Sequence, residues 1–159
     1  MTAFAAEIKK GRKYAQVIEG AREVFMRDGF EGASVDDIAR AAGVSKATLY
    51  SYFNDKRLLF SEVARIECSR QAEAAITKIG AHDKVEDALH EAANLLVRFF
   101  LSDFGKQLYR IFVAEADRFP ELGRSFYASG PQLARERLSA VLRPFVEKGD
   151  LKIEDIELA

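Results

Sequence analysis

Residues 34–59, "SVDDIARAAGVSKATLYSYFNDKRLL", contain the pattern from which the fold of this chain can be predicted. Ser34 and Asp37 have capping-box spacing, with Asp in place of the usual Glu, so a short helix is predicted to start there and to stop at Gly43. Ser45 can cap a second short helix that ends near Phe53. Two short helices separated by a tight turn are therefore expected.

Apolar residues in this stretch are spaced so that the two helices can share a small core. Ile38, Val44 and Leu49 point inward if the helices cross at a steep angle. Ala39 keeps the crossing close, and Gly43 supplies the positive φ that the tight turn requires. This pattern predicts a helix-turn-helix.

The other face of the second short helix carries donors, small methyl groups and phenols. Such side chains suit base edges and phosphate oxygens in a DNA major groove, and none of them is a carboxylate. The residues on this face are Lys46, Ala47, Thr48, Tyr50, Ser51 and Tyr52.

Most of the remaining chain is predicted to be helical. Gly and Pro lie at the boundaries of the predicted helices, and no alternation of apolar and polar residues is long enough to indicate a strand. A first helix is predicted from about Arg12 to Asp28, closed by a left-handed Gly29 with Phe30 packing back on it. Asn54 or Asp55 is expected to cap a long fourth helix.

Beyond Gly80 the helical pattern resumes in the second half of the chain. Pro120 fits the first turn of a helix, Pro131 and Pro144 would each kink or interrupt it, and Gly149 marks its end. The predicted apolar stripe before these prolines is Val85, Leu89, Ala92, Leu96 and Phe99. The whole chain is therefore predicted to be all-α.

Composition and charge limit the possible classes of function. With 48% hydrophobic and 31% charged residues, the chain resembles an ordinary globular domain. No apolar run approaches the roughly 20 residues of a membrane helix, and no signal peptide is recognisable, so a cytoplasmic protein is expected. Cys68 is the only cysteine.

Catalysis is not expected. His82 and His90 are the only histidines, and a metal site in a helical bundle normally needs a second carboxylate–histidine motif besides that of Glu86 and His90. Neither a Gly-rich phosphate loop nor a Ser-His-Asp arrangement can be proposed. We therefore expect no enzyme activity, no cofactor and no metal.

Positive charge is concentrated near the N-terminus although the net charge is −1. Residues 1–60 carry ten Lys and Arg against eight Asp and Glu, and "KKGRK" from Lys9 to Lys13 is +4. This distribution is compatible with a nucleic-acid contact confined to one end of the chain, and equally with solvated helix faces.

The stretch from Arg12 to Phe60 resembles the DNA-binding region of TetR-family transcriptional regulators, chiefly through "SVDDIARAAGVSKATLYSYFNDKRLLF". The later "LYRIFVAEADRFPELGRSFYASGP" resembles, less specifically, the ligand-binding part of an AefR-like or AcrR-like subgroup. The resemblance implies a three-helix helix-turn-helix DNA-binding domain, residues 1–56, joined by a long helix to a helical ligand-binding and dimerisation domain, residues 57–159. It implies a repressor that binds a double-stranded DNA operator and a small apolar or aromatic effector.

The resemblance assigns DNA-contacting roles to individual residues. Lys46 and Ala47 would face bases, whereas Thr48, Tyr50 and Tyr52 would grip phosphates. Ala47 stands where many members have Gly, and its methyl group suits a thymine. The DNA-binding set is Ser34, Ser45, Lys46, Ala47, Thr48, Tyr50, Ser51, Tyr52 and Lys56.

Several of these positions have a structural alternative. Tyr50 or Tyr52 could instead pack on the first helix, and Ser34 could serve only as a cap rather than place its hydroxyl and nearby amides against a phosphate. Ser51 is short enough to act through a water molecule. Lys56, at the start of the fourth helix, matches a family position that holds the DNA backbone.

Members of the family enclose an effector in a cavity between the helices of the second domain. Polar residues there would orient an apolar or aromatic ligand, although aromatic residues at helical spacing are more often plain core. The candidate ligand-binding residues are His90, Asn94, Arg98, Phe99, Tyr109, Arg110, Phe112, Phe126 and Tyr127.

Family members usually continue with two further helices that form a homodimer across a two-fold axis, whereas this sequence stops at "IEDIELA". A fragment, a natural truncation and a different mode of dimerisation are all open. The alternative function is a helical protein–protein interaction module whose helix-turn-helix docks a protein partner.

Overall fold

The fold is that of a computed structural model, which describes residues 11–115 and 120–156. Capping residues and glycines at the ends of apolar stripes determine where its helices begin and end. No strand occurs within those ranges, which confirms the predicted all-α fold. The helices are α1 Arg12–Gly32, α2 Val35–Ala42, α3 Lys46–Tyr52, α4 Lys56–Ile79, α5 Val85–Leu101, α6 Asp103–Glu115, α7 Pro120–Tyr127 and α8 Leu133–Lys148, with a π-helical turn at Ala128–Gln132.

The chain divides into two compact units, Met1–Ala64 and Arg65–Ala159. The first unit contains α1, α2, α3 and the beginning of α4, and its helices bury apolar residues in a common core. The aromatic rings of Phe25 and Phe60 meet edge to face at 5.1 Å. The largest fully buried side chains of this unit are Val17, Val24, Ile38, Leu49, Leu59, Phe60 and Val63.

Helix α1 changes direction at Gly29, which has φ 73° and ψ 178° within a helix that otherwise runs to Gly32. The predicted break at this glycine is confirmed, although one further helical turn follows it. Phe30 packs back on Phe25 with ring centroids 6.1 Å apart, as predicted.

In the second unit the buried face of α5 differs from the predicted stripe. Leu89 and Leu96 are 41% and 43% exposed, whereas Ala88 and Ala92 are buried. Val85 and Ala92 of the predicted stripe do face the cluster that contains Ile79 and residues of α8, whereas the preceding residues Ala88 and Leu95 take the places predicted for Leu89 and Leu96. Ala92 is thus the fully buried member of the predicted stripe.

The prolines of the second unit behave in different ways. Helix α7 begins at Pro120, as predicted, and Pro131 lies in the π-helical turn. Pro144 lies inside α8 without ending it, so the predicted interruption there is wrong. The neighbouring Phe145 is buried, and α8 ends before the left-handed Gly149, as predicted. No helix among the described residues is long and apolar enough to cross a membrane.

Candidate nucleic-acid interface

Helices α1 and α2 touch backbone to backbone at Gly20. A Cβ atom added to this buried glycine would lie 2.4 Å from the backbone nitrogen of Ala42 and 2.7 Å from its Cα and Cβ atoms. No side chain larger than hydrogen fits there without a shift of one helix. The only sequence signal for this contact is a glycine in the interior of a helix, where alanine is intrinsically preferred.

The turn between α2 and α3 follows the predicted geometry. Gly43 adopts the left-handed conformation with φ 62° and ψ 34°. Its amide donates to the carbonyl of Arg40 at 3.1 Å, and the Val44 amide donates to that of Ala39 at 3.1 Å. Ile38 and Leu49 are buried and Val44 is half-buried, so the predicted shared core exists.

Ser34 acts as the N-cap of α2. Its hydroxyl oxygen accepts from the Asp37 amide at 3.0 Å, and the hydroxyl donates to the Asp37 carboxylate at 2.5 Å. That hydrogen bond, and then Arg40, lowers the pKa of Asp37 below its usual value. The Ser34 hydroxyl therefore directs its proton to Asp37, which is the capping role given as the structural alternative, and the phosphate contact stays a prediction.

Ser45 caps α3 in the same way. Its oxygen accepts from the Thr48 amide at 3.1 Å, and its hydroxyl and that of Thr48 lie 2.9 Å apart. The Ser51 hydroxyl donates to the Thr48 carbonyl at 2.6 Å. Ser45 and Thr48 thus hold the first turn of the helix, while Ser51 keeps its oxygen lone pairs toward solvent.

The outward face of α3 presents four exposed side chains, and Tyr50 is half accessible to solvent. The opposite face buries Leu49, which orients the helix. One cation, one methyl group, one phenol and one hydroxyl are thus displayed together on a short helix. The exposed residues are Lys46, Ala47, Tyr50 and Ser51.

Tyr52 is half-buried against α1 rather than displayed with this face. Its ring meets the ring of Tyr14 edge to face at 5.8 Å. Tyr14 in turn donates to the carboxylate of Glu62 on α4 at 2.5 Å. The structure therefore supports the alternative in which Tyr52 packs on the first helix.

Lys56 has structural partners that the sequence does not reveal. Its ammonium donates to the carbonyls of Phe30 at 2.8 Å and of Ala33 at 3.0 Å, and it lies 4.5 Å from the centroid of the Phe30 ring. Two of its three protons therefore satisfy carbonyls at the end of α1. The third proton remains for a DNA phosphate, so the predicted backbone contact stays a prediction beside this structural role.

Lys46 forms an ion pair with Asp36 in the first turn of α2. The two side chains remain 58% and 54% exposed. An exposed pair of this kind is worth about 0–1 kcal/mol, so Lys46 is held only weakly. Lys9 and Lys10 of the predicted basic segment lie outside the described residues.

Six of the nine candidate ligand-binding residues are exposed in the second unit, and three are buried or half-buried. The buried or half-buried members are Phe99, Phe112 and Phe126. The rings of Phe112 and Phe126 stack with centroids 4.3 Å apart, which brings α6 and α7 together. The exposed members are His90, Asn94, Arg98, Tyr109, Arg110 and Tyr127.

Chemically reactive groups are not assembled in the described part of the chain. It contains no group of three or more His, Cys, Asp or Glu side chains that would hold a metal ion. Cys68 is buried, and burial followed by the nearby Glu67 raises the pKa of its thiol to about 11. Such a thiol is almost wholly protonated at neutral pH and is a poor nucleophile.

Two family models match the chain. The model for "Bacterial regulatory proteins, tetR family" matches residues 17–63, which contain α2 and α3. The model for "AefR-like transcriptional repressor, C-terminal domain" matches residues 87–159. The first match thus falls on the helix-turn-helix and the second on the helices of the second unit.

Individual proteins are similar to the chain over different lengths. The HTH-type transcriptional repressor AcnR of Corynebacterium glutamicum is 38% identical over 69 residues, 43% of this chain and 37% of AcnR. The alignment thus spans less than two fifths of that curated relative.

Solved structures match almost the whole chain, among them the following two. The structure of a protein from Mesorhizobium loti assigned to the TetR family has a TM-score of 0.78 at 29% identity, covering 96% of this chain and 77% of that one. The flavonoid-responsive regulator FrrA has a TM-score of 0.62 at 34% identity, covering 93% and 75%.

Proposed function

The chain belongs to the TetR family, whose members are transcriptional regulators rather than enzymes, and from this premise we propose that it represses transcription by binding a double-stranded DNA operator. The observation that carries the proposal is the exposed face of α3. Four side chains suited to DNA point outward, while buried Leu49 and the cap at Ser45 fix the helix that bears them.

Each exposed residue of α3 has a distinct role in the proposed interface. Lys46 lies in the first turn, where the positive end of the helix dipole adds to its own charge, and it donates to guanine O6 and N7. The Ala47 methyl group contacts a thymine methyl group. Tyr50 donates its phenolic proton to a phosphate, and Ser51 contacts the neighbouring base directly or through a water molecule.

The effector is proposed to be a small apolar or aromatic molecule bound by the second unit. The stacked rings of Phe112 and Phe126 support an aromatic preference, because a planar ligand can stack or insert beside them. FrrA is described as flavonoid-responsive, and flavonoids are aromatic. Effector binding would shift the population of conformations away from the one that fits DNA.

The regulator is proposed to act as a homodimer on a palindromic site. Two copies related by a two-fold axis would place their α3 helices in successive major grooves, about one DNA turn apart. Because a closed two-fold assembly repeats the same contacts on both half-sites, palindromy of the operator would follow from the symmetry of the protein.

The protein-docking alternative finds little support on the helix-turn-helix. A docking surface for a protein usually centres on large apolar or aromatic side chains. In the described part of α2 and α3, Tyr50 is the only exposed large hydrophobic residue. A cation, a methyl group and a hydroxyl surround it, which favours a polyanionic partner.

The test is an in vitro selection of the chain against a random duplex pool, followed by titrations of the enriched duplex. A palindromic consensus is expected. Lys46→Ala should weaken binding to that consensus by about 1–3 kcal/mol and relax the preference at one base pair. The matched control is Lys106→Ala, because Lys106 is about as exposed as Lys46 and forms an ion pair with Asp103 in the second unit.

The outcomes separate the two functions. An equal loss of affinity on every duplex would reassign Lys46 to a phosphate. Absence of enrichment, together with binding that does not depend on salt, would reject the repressor proposal and favour the protein-docking module, because DNA binding always releases counterions.

A further inference from the structure

An acidic residue lies beside the proposed reading face, where a carboxylate opposes DNA binding. Asp36 is in the first turn of α2, and its carboxylate pairs with the ammonium of Lys46 at the start of α3. The two residues are ten positions apart, and the turn at Gly43 brings them together. Asp36 caps no helix, because Ser34 and Asp37 form the cap of α2.

We propose that Asp36 is a positioning residue that determines DNA specificity by holding Lys46 toward base edges and away from phosphates. This inference rests on the proposed function. The carboxylate uses one of the three ammonium protons and leaves two for the paired acceptors O6 and N7 of a guanine. At the operator the ion pair is therefore kept and extended to a base.

Lysine gains more from such a partner than arginine would. Its four-carbon stem is flexible and its ammonium is a point charge, so an unrestrained Lys46 would sample many rotamers and contact whichever phosphate is near. An ion pair formed before DNA arrives restricts that freedom in advance, which strengthens the contact that matches its geometry.

The same carboxylate weakens binding to the wrong sequence. Non-operator DNA offers phosphates but not the matching base pair, and Asp36 both repels those phosphates and occupies the cation that would bind them. An element that penalises the competitor more than the correct partner is how specificity is commonly obtained. Asp36 should thus raise operator affinity and lower non-operator affinity.

The test compares Asp36→Asn with the wild type on the selected duplex and on a scrambled duplex over a series of salt concentrations. An exposed ion pair predicts that the variant loses about two- to fivefold in affinity for the selected duplex and gains about two- to fivefold for the scrambled one. On scrambled DNA the slope of log K against log salt should steepen by about 0.9, because Lys46 now binds a phosphate.

Further variants separate positioning from general charge. In a Lys46→Ala background, Asp36→Asn should no longer reduce affinity for the selected duplex. Asp36→Glu, which keeps the charge, should restore the low affinity for scrambled DNA. Asp103→Asn, which breaks the more exposed pair with Lys106 in the second unit, should change neither affinity. If circular dichroism shows that Asp36→Asn melts at a lower temperature than the wild type, the measurement is repeated with Asp36→Gln.

The results distinguish failure of the inference from failure of the proposed function. If the wild type prefers the selected duplex and removal of the Asp36 charge raises both affinities equally, Asp36 is only a repulsive charge and the inference is wrong. The inference is also wrong if the effect on the selected duplex persists without Lys46. If the wild type has no sequence preference, the proposed function fails and the inference fails with it.

Discussion

Replacement of Gly20 by alanine should destabilise the first unit although alanine is the better helix former. The added methyl group would lie 2.4–2.7 Å from backbone and Cβ atoms of Ala42, distances that cannot be kept. Overpacking of this kind costs about 1–3 kcal/mol, and backbone contacts place it near the upper end. The higher helix propensity of alanine offsets about 1 kcal/mol of this cost, so the free energy of unfolding should fall by about 1–2 kcal/mol.

Hydrogen exchange of amides in α1 and α2 measures this loss locally, so that unfolding of the second unit does not mask it. The matched control is Gly123→Ala in α7, where an added Cβ meets nothing within 4 Å. That variant should stabilise its helix by about 0.5–1 kcal/mol. Unchanged or slower exchange in Gly20→Ala would refute the close approach of α1 and α2. DNA affinity should fall with stability, because α2 carries the turn that positions α3.

Three other side chains have contacts whose loss can be measured. Lys56→Met should lower the free energy of unfolding of the first unit by about 1.5–3 kcal/mol in chemical denaturation, because two carbonyls lose a charged donor. The control variant Lys78→Met, at an exposed position, should change the free energy of unfolding little. The lowered pKa of Asp37 means that its hydrogen bond with Ser34 stabilises the fold above the ordinary pKa of 3.8 and is lost as pH falls through the folded pKa. The difference in melting temperature between wild type and Asp37→Asn should therefore be present at pH 6 and disappear in acid. Cys68, with its pKa raised to about 11, should react with a thiol reagent at pH 8 only after denaturation, and rapid reaction of the native protein would contradict its burial.

Helix boundaries in the first unit could be predicted because they depend on neighbours within four residues. Ser34 and Ser45 each accept a hydrogen bond from the amide three positions later, and Gly43 takes the left-handed conformation. All three features are local consequences of residue type. The sequence allows either Asn54 or Asp55 to cap α4. In the structure the cap is Asp55, whose carboxylate accepts from the Arg57 amide at 2.7 Å.

The side-chain partners of the site could not be predicted, because they come from distant parts of the chain. Lys56 bonds carbonyls 26 and 23 positions earlier, and Tyr52 packs on Tyr14. Periodicity gives the face of a helix only to within about one residue, as the exposed Leu89 shows. Which of two adjacent stripes is buried depends on the shape of the opposing helices, and the sequence pattern does not contain that shape.

The small number of free side chains on α3 limits what one copy of the protein can discriminate. Ser34, Ser45 and Thr48 are engaged in capping, and Tyr52 and Lys56 are engaged in packing and hydrogen bonding within the first unit. One paired base contact is worth about 1–3 kcal/mol of discrimination, whereas specific sites are typically favoured by about 4–10 kcal/mol.

Two copies on one duplex would double that contribution to about 2–6 kcal/mol, which overlaps the lower part of the typical range before the contacts proposed for Ala47 and Ser51 are added. This doubling supports the proposed homodimer. A half-site duplex should accordingly be preferred over scrambled DNA by about 1–3 kcal/mol, and the full palindrome by about twice that. Equal discrimination by the half-site would mean that residues outside α3 read bases, and the N-terminal lysines would be the first to replace.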